Sequence, residues 1–327
     1  MIPGILVAAI VALASVEVAA VETRVLGHPV IEALVVALLV GMAIRAFWRP
    51  GEAFERGIRF AGKEVLELSV AILGISVDLP MLVRAGPALG FAIVAIVAVG
   101  LVLGVLIARA LGLPRRLSIL VACGNAICGN SAIAAVAPVI GADADDVASS
   151  IAFTAILGVI VVLGLPLLIG PLRLTNYQYG VLAGLSVYAV PQVLAAAFPV
   201  SVLSGEVATL VKLVRVLMLG PVVLFFTARE HHRFGRAPSI ATLVPWFIVG
   251  FLALATLRAT GVIPPSWIAP TRFAATSLTI VAMAALGLSA DVRTVAKAGS
   301  RVIAAVSMSL LLLVALGIAL IHLLHIR

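Results

Sequence analysis

Apolar stretches of about 20 residues follow one another along the whole chain, with no gap longer than about 15 residues between them. A helix of about 20 apolar residues crosses the hydrocarbon core of a bilayer. The composition agrees, because 63% of the residues are hydrophobic and 11% are charged, against about 25% charged in a soluble domain. The sequence therefore predicts an all-α polytopic membrane protein with about eleven transmembrane helices.

Turns that contain Pro and Gly separate most of the predicted helices. The helices are predicted near 2–20, 29–48, 63–83, 87–111, 118–140, 147–169, 178–199, 207–227, 240–259, 271–292 and 299–325. The first is interpreted as a retained helix, because no basic segment precedes it and Glu17 and Glu22 fit a signal-peptide cleavage region poorly.

Basic residues are divided unevenly between alternate loops. One set of loops and adjoining helix ends holds 15 Lys and Arg, and the other holds 5. Because cytoplasmic loops are enriched in Lys and Arg, the sequence predicts a protein of the cell (inner or plasma) membrane. Its N-terminus is expected in the cytoplasm and its C-terminus outside, and the acidic loop 143–146 is expected to face outward.

Two internal repeats are compatible with the helix pattern. The favoured one places an extra helix and loop at 1–28, a first five-helix repeat at 29–170 and a second at 171–327. Five helices per repeat would invert the second repeat relative to the first, as in many secondary transporters. The alternative repeat aligns Gly74-Ile-Ser-Val-Asp78 with Gly287-Leu-Ser-Ala-Asp291, and it pairs the helices differently.

The most distinctive local pattern is Cys123-Gly-Asn-Ala-Ile-Cys-Gly-Asn-Ser131 in the fifth predicted helix. Its repeated Gly-Asn pairs, Gly124-Asn125 and Gly129-Asn130, favour non-helical backbone. A helix that restarts there would present free N–H groups to an anion, assisted by the Ser131 hydroxyl. The alternative is close helix packing through small residues. A disulfide between the two cysteines, or a metal site built from them alone, is not expected.

Two basic residues, Lys212 and Arg215, lie three positions apart in the apolar eighth helix and so share one face. A charge at membrane depth is costly and normally faces a cavity or the interior of a bundle. We expect the pair to bind substrate. The alternatives are snorkelling to the interface and ion pairing with Glu64, Glu67 or Glu32.

Polar side chains in two further helices complete the predicted substrate site. Tyr188 and Gln192 flank Pro191 on one face of the seventh helix, where a plain proline kink is the alternative. Ser289 lies in a Gly-x-Ser-x-Asp pattern near the end of the tenth helix, and Asp291 there is also compatible with a simple loop charge.

The stretch Cys-Gly-Asn-Ala-Ile-Cys-Gly-Asn-Ser-Ala-Ile at 123–133 resembles an element of the YeiH-like sulfate exporter family, and Val211–Leu217 resembles another. The resemblance implies the inverted-repeat fold of sodium/proton antiporters and bile-acid symporters. Two interrupted helices would cross, one at 124–131 and one near 284–291. The family element that usually carries a His reads Val187-Tyr188-Ala-Val-Pro-Gln-Val193 here.

We therefore expect a secondary transporter, and by the resemblance an exporter, of a small anion such as a sulfur oxyanion or an organic sulfonate. The alternative is a cation/proton antiporter of the same fold. No enzymatic activity, cofactor, metal or nucleic-acid partner is expected. The expected partners are the anionic substrate, the lipid bilayer and a coupling ion, either a proton or sodium, and a homodimer is compatible with the sequence.

Overall fold

The computed structural model describes residues 1–26, 33–76, 86–230, 246–290 and 300–324. Every regular element within these ranges is helical. In chain order the α-helices are α1 (Ile2–Leu26), α2 (Ala33–Phe47), α3 (Glu52–Phe60), α4 (Leu66–Leu73), α5 (Gly86–Ala110), α6 (Arg115–Cys123), α7 (Asn130–Ile140), α8 (Ala144–Gly164), α9 (Ile169–Leu172), α10 (Asn176–Ser186), α11 (Val190–Ala197), α12 (Val202–Leu217), α13 (Leu219–Glu230), α14 (Trp246–Ala259), α15 (Ile268–Ser289) and α16 (Ser300–Leu323).

Five helical spans in the described residues are long and apolar enough to cross a membrane. They are Ile2–Val21, Ala88–Ala110, Val202–Arg229, Pro265–Ser289 and Ser300–Leu323. Shorter apolar helices accompany them, including Ala33–Phe47 and Trp246–Ala259.

Residue contacts divide the chain into two compact units. Unit 1 holds Met1–Arg84 and Trp246–Arg293, and unit 2 holds Ala85–Pro245 and Thr294–Arg327. The two five-helix repeats predicted at 29–170 and 171–327 do not coincide with these units, and they stay a prediction.

Unit 1 is packed through glycines where its helices touch. A Cβ on Gly41 of α2 would lie 2.6 Å from the Ala284 carbonyl oxygen and 3.0 Å from the Gly287 Cα of α15, so the two backbones are in direct contact. Gly287 therefore serves packing, and α15 continues unbroken to Ser289. The implied interruption near 284–291 is wrong for 284–289, and Asp291 lies outside the described residues.

Residues 115–140 of unit 2 fold back on themselves as a helical hairpin, which we call hairpin 1. The Arg116 guanidinium lies 3.8 Å from the Asp143 carboxylate, whereas an unbroken helix would separate these residues by about 40 Å. A Cβ on Gly124 in the first arm would lie 3.0 Å from Ile133 Cδ1 in the second. The charge count placed Arg116 on the side rich in Lys and Arg and the acidic loop 143–146 on the other side, and the contact between Arg116 and Asp143 shows that this separation is wrong.

Residues 176–197 form a second hairpin, hairpin 2, from α10 and α11. The Tyr179 hydroxyl near the start of α10 donates to the Ala196 carbonyl near the end of α11 at 2.8 Å. These residues would lie about 25 Å apart in a straight helix. The chain then returns to the opening of the hairpin, where the Ser204 hydroxyl of α12 donates to the Asn176 carbonyl at 2.7 Å.

The two hairpins enter unit 2 from opposite ends. Along α8, Ser149 lines a cavity with Pro114 at the opening of hairpin 1, Thr154 contacts its tip, and Gly158 contacts the tip of hairpin 2. The same order occurs along α16, where Arg301 approaches Gly112 and Val306 contacts the tip of hairpin 1. Farther along α16, Gly317 packs against hairpin 2. Two of the eleven predicted spans are therefore helical hairpins rather than single straight helices, and the number of membrane crossings stays a prediction.

Candidate functional site at the tips of the hairpins

The backbone at the tip of hairpin 1 is not α-helical. Gly124–Cys128 form a π-turn after α6, and the Gly129 amide donates to the Gly124 carbonyl at 2.8 Å. Gly129 then adopts φ 70° and ψ −126° before α7 begins at Asn130, a conformation that a side chain would oppose. The predicted interruption between Cys123 and Ser131 is confirmed.

The tip of hairpin 2 is made of extended backbone. α10 ends at Ser186, and Val187 and Ala189 have β-region angles before α11 starts at Val190. Pro191 lies in the first turn of α11, where its missing amide interrupts no helical bond. The proline therefore begins a helix here rather than kinking one.

The two tips touch each other. A Cβ on Gly129 would lie 3.5 Å from the Tyr188 Cβ and 3.9 Å from the Thr154 Cβ of α8. Non-helical backbone at membrane depth is tolerated where protein or a water-filled cavity satisfies its polar groups. Each tip is thus supported by the other and by α8.

The side chains of Arg215 and Lys212 in α12 donate hydrogen bonds to backbone carbonyls in both hairpins. Arg215 donates from Nη2 to Asn125 at 2.7 Å and from Nε to Ala126 at 3.0 Å, both in hairpin 1. Its Nη1 donates to Gly184 at 2.7 Å and to Val187 at 3.2 Å in hairpin 2.

Lys212 makes the same connection with a single atom. Its Nζ lies 2.6 Å from the Ile127 carbonyl oxygen and 2.9 Å from that of Val187. Val187 follows the last residue of α10 in an extended conformation, so its carbonyl has no helical amide to accept from. The two cations therefore satisfy carbonyls left unpaired by the broken helices.

These contacts decide between the explanations for the basic pair. Lys212 and Arg215 are both 0% exposed, which excludes snorkelling. Glu67 accepts from Trp246 Nε1 at 2.6 Å and Glu64 lies 3.7 Å from Lys63 Nζ, while Glu32 lies outside the described residues. The partial negative charge at the C-terminal ends of α6 and α10 instead offsets the two cations.

The opposite helix ends, at the starts of α7 and α11, have no such compensation. Neither 115–140 nor 176–197 contains an Asp or Glu. Asn130 and Ser131, the first residues of α7, are exposed. The Thr154 hydroxyl lies 2.6 Å from Asn130 Oδ1 and 2.9 Å from the Ile151 carbonyl, which places Asn130 against α8. Two positive helix ends thus meet, and neither hairpin supplies an acidic side chain to offset them.

Gln192 in the first turn of α11 presents a hydrogen-bond donor at this place. Its Oε1 accepts from the Ala189 backbone amide at 3.2 Å, so the oxygen is occupied and the NH2 group points away from the cap. Space for that group comes from Gly158 of α8, since a Cβ there would lie 2.2 Å from Gln192 Nε2. The Gln192 NH2 group can therefore donate a hydrogen bond to an acceptor such as an oxyanion.

Asn125 and Tyr188 lie deeper than these residues. Asn125 Nδ2 donates to the Val306 carbonyl of α16 at 3.1 Å and so ties the tip of hairpin 1 to that helix. Its Oδ1 and the Tyr188 hydroxyl are buried, and neither has a hydrogen-bond partner in the described part of the chain.

All the predicted site residues except Ser289 therefore gather at the hairpin tips. Ser289 belongs to unit 1, where its hydroxyl donates to the Ala285 carbonyl of its own helix at 2.9 Å. Sequence reasoning missed Thr154 and Gly158, because a single Thr and Gly in an apolar helix carry no signal of their own. No cluster of three His, Cys, Asp or Glu that could hold a metal occurs among the described residues.

Comparison with known proteins places the chain in a family. Residues 3–306 match the family model described as Conserved hypothetical protein 698. The chain belongs to this family. The UPF0324 membrane protein blr3189 of Bradyrhizobium diazoefficiens is 52% identical over 98% of this chain and 93% of its own length. A UPF0324 membrane protein of Brucella suis is 51% identical over 99% and 96%, respectively.

More distant relatives extend across most of the chain as well. A UPF0324 membrane protein of Bacillus cereus is 35% identical over 88% of this chain and 86% of its own length. No solved structure matches significantly. The long apolar helices and the names of these relatives together identify the chain as an all-α, multi-pass membrane protein.

Proposed function

We propose that the protein is a secondary transporter of a small anion, bound where α7 and α11 begin at the hairpin tips. The observation that carries the proposal is the charge layout at the tips. Lys212 and Arg215 occupy the carbonyl ends of α6 and α10, whereas the amide ends of α7 and α11 have no acidic partner in either hairpin. A small anion would supply the missing negative charge.

In this proposal the two basic residues hold the site rather than touch the substrate. Their hydrogen bonds in the structure go to backbone carbonyls. Direct contacts would come from the amides of Asn130 and Ser131, the Ser131 hydroxyl and Gln192 Nε2. Discontinuous helices that meet at membrane depth serve as substrate sites in many secondary transporters.

The substrate class follows from the resemblance of residues 123–133 to the YeiH-like sulfate exporters. A sulfur oxyanion or an organic sulfonate has the acceptor oxygens that such a cluster of N–H donors would bind. A cation/proton antiporter would need a buried carboxylate, and no buried Asp or Glu occurs among the side chains that the structure describes. The antiporter is therefore the weaker candidate.

The direct test is uptake into proteoliposomes. Purified protein would be given radiolabelled sulfate, thiosulfate and an organic sulfonate, with phosphate and sodium as further probes. We expect saturable uptake of at least one sulfur-containing anion. Cation-dependent proton movement without anion flux would support the antiporter instead and contradict the proposal.

A matched pair of substitutions makes the test specific to the tips. Gln192 and Gln178 each accept the N-cap backbone amide with the side-chain oxygen, one at the start of α11 and one at the start of α10. Glu would retain the acceptor oxygen in both, but Gln192→Glu would place a negative charge against the anion. We expect Gln192→Glu to lower uptake by about tenfold or more, and Gln178→Glu to leave it near wild type.

A further inference from the structure

Lys212 is the one basic side chain at the hairpin tips that can take up and release a proton, because arginine stays protonated in proteins. We propose that Lys212 carries the proton that couples anion movement to a pH gradient. This inference rests on the proposed anion site and names its coupling ion.

The hydrogen bonds of Lys212 suit a group that changes charge without changing place. An ammonium has three N–H donors, and two of them are used, toward Ile127 at 2.6 Å and Val187 at 2.9 Å. A neutral amine retains two N–H donors, so both bonds can persist after the proton leaves. Arg215 meanwhile binds both hairpins through its own carbonyl contacts, so the tips stay joined in either state.

The groups facing Lys212 provide no fixed negative charge. In the described part of the chain, Lys212 faces Arg215 on α12 and Cys128 at the tip of hairpin 1, and Tyr188 at the tip of hairpin 2 faces Arg215. Thiol and phenol are neutral in their protonated forms. Glu206 also lies on α12, but six residues from Lys212, which turns it well away on the helix. In α5, α8, α13 and α16 the acidic and basic side chains lie near the helix ends.

Anion and proton would therefore stabilise each other's binding. Ile127 and Val187, which accept from Lys212, each lie two residues before the N-cap of α7 or α11. An anion at those N-terminal ends favours the ammonium, and by linkage the ammonium favours the anion to the same extent. The proton would come from water on the side where the anion enters, and both would leave on the other side.

Wild-type protein in proteoliposomes tests this directly. The probe is whichever labelled anion the uptake panel shows to be transported, with the membrane potential held at zero by potassium and valinomycin. We expect about tenfold accumulation of the anion on the alkaline side per unit of pH gradient, with one proton moving per anion on an internal pH dye. Anion flux that only equilibrates, without proton movement, would overturn the inference and leave the proposed function standing. Absence of flux for every anion would remove the proposed function itself.

Lys212→Arg identifies the carrier, with Lys63→Arg as the control at an exposed lysine. Arginine would keep the charge but not release it. We expect Lys212→Arg to exchange labelled for unlabelled anion across the membrane while losing the accumulation driven by the pH gradient, and Lys63→Arg to retain both. Accumulation by Lys212→Arg equal to that of wild type would refute the role of Lys212. If Lys212→Arg does not fold, the wild-type proton count still decides whether protons accompany the anion.

Discussion

Gly158 shows how a single missing methyl group can position a side chain, here the Gln192 carboxamide that we propose binds the anion. The Gln192 carboxamide occupies the space where a Cβ on Gly158 would lie, 2.2 Å from Nε2 and 2.4 Å from Oε1. A methyl group there could be accommodated only by moving the whole carboxamide, including the oxygen that accepts from the Ala189 amide. The donor of hairpin 2 thus depends on a residue of α8.

Gly158→Ala should weaken anion binding while leaving the helix intact. Alanine is favoured over glycine in a helix by about 0.5–1 kcal/mol, so loss of folding is not the expected effect. We expect the anion concentration for half-maximal uptake to rise by about tenfold, equivalent to one lost hydrogen bond of about 1.4 kcal/mol. Gly164→Ala is the control on the same helix, because nothing lies within 4 Å of a Cβ there. Equal uptake by both variants would contradict the assigned role of Gln192.

Among the elements, the hairpins are where sequence and structure differ most. Hydropathy reports how many apolar residues a segment contains, and a hairpin buried in protein needs as many as a spanning helix. Gly124 and Gly129 correctly indicated an interruption, but the direction of the chain after it depends on contacts between the two arms, such as Gly124 with Ile133. The partners of Lys212 and Arg215 are backbone carbonyls, which leave no trace in the residue pattern.

Labelling from one side of the membrane distinguishes a hairpin from a span. Cysteine introduced at Arg116 or Asp143, both partly or largely exposed, should react with a membrane-impermeant maleimide from the same side. Thr175, at the opening of hairpin 2, should react from the opposite side. The native cysteines are buried and provide a low background. Labelling of positions 116 and 143 from opposite sides would contradict the hairpin and show that the fifth predicted helix spans the membrane.

At the scale of the whole molecule, the predicted helix pattern and the described helices agree closely. Long apolar helices such as 87–111 and 299–325 were predictable because they need only apolar length, and α5 and α16 occupy these segments. Two of the eleven predicted spans are hairpins in the structure, and a hairpin begins and ends on the same side. The expected number of crossings therefore falls by two and stays odd. The prediction that the termini lie on opposite sides is therefore unaffected, and it remains a prediction.

The position of the bound anion distinguishes a site at the amide ends of α7 and α11 from a site at the two basic side chains. Selenate is a close analogue of sulfate whose selenium gives an anomalous X-ray signal. A crystal structure with selenate, at a concentration that blocks uptake of the transported anion, should show the selenium signal at the hairpin tips, with selenate oxygens that accept from the Ser131 amide and Gln192 Nε2. Selenium bound directly to Lys212 and Arg215 in place of their carbonyl partners, or absent from the hairpin tips, would contradict the account.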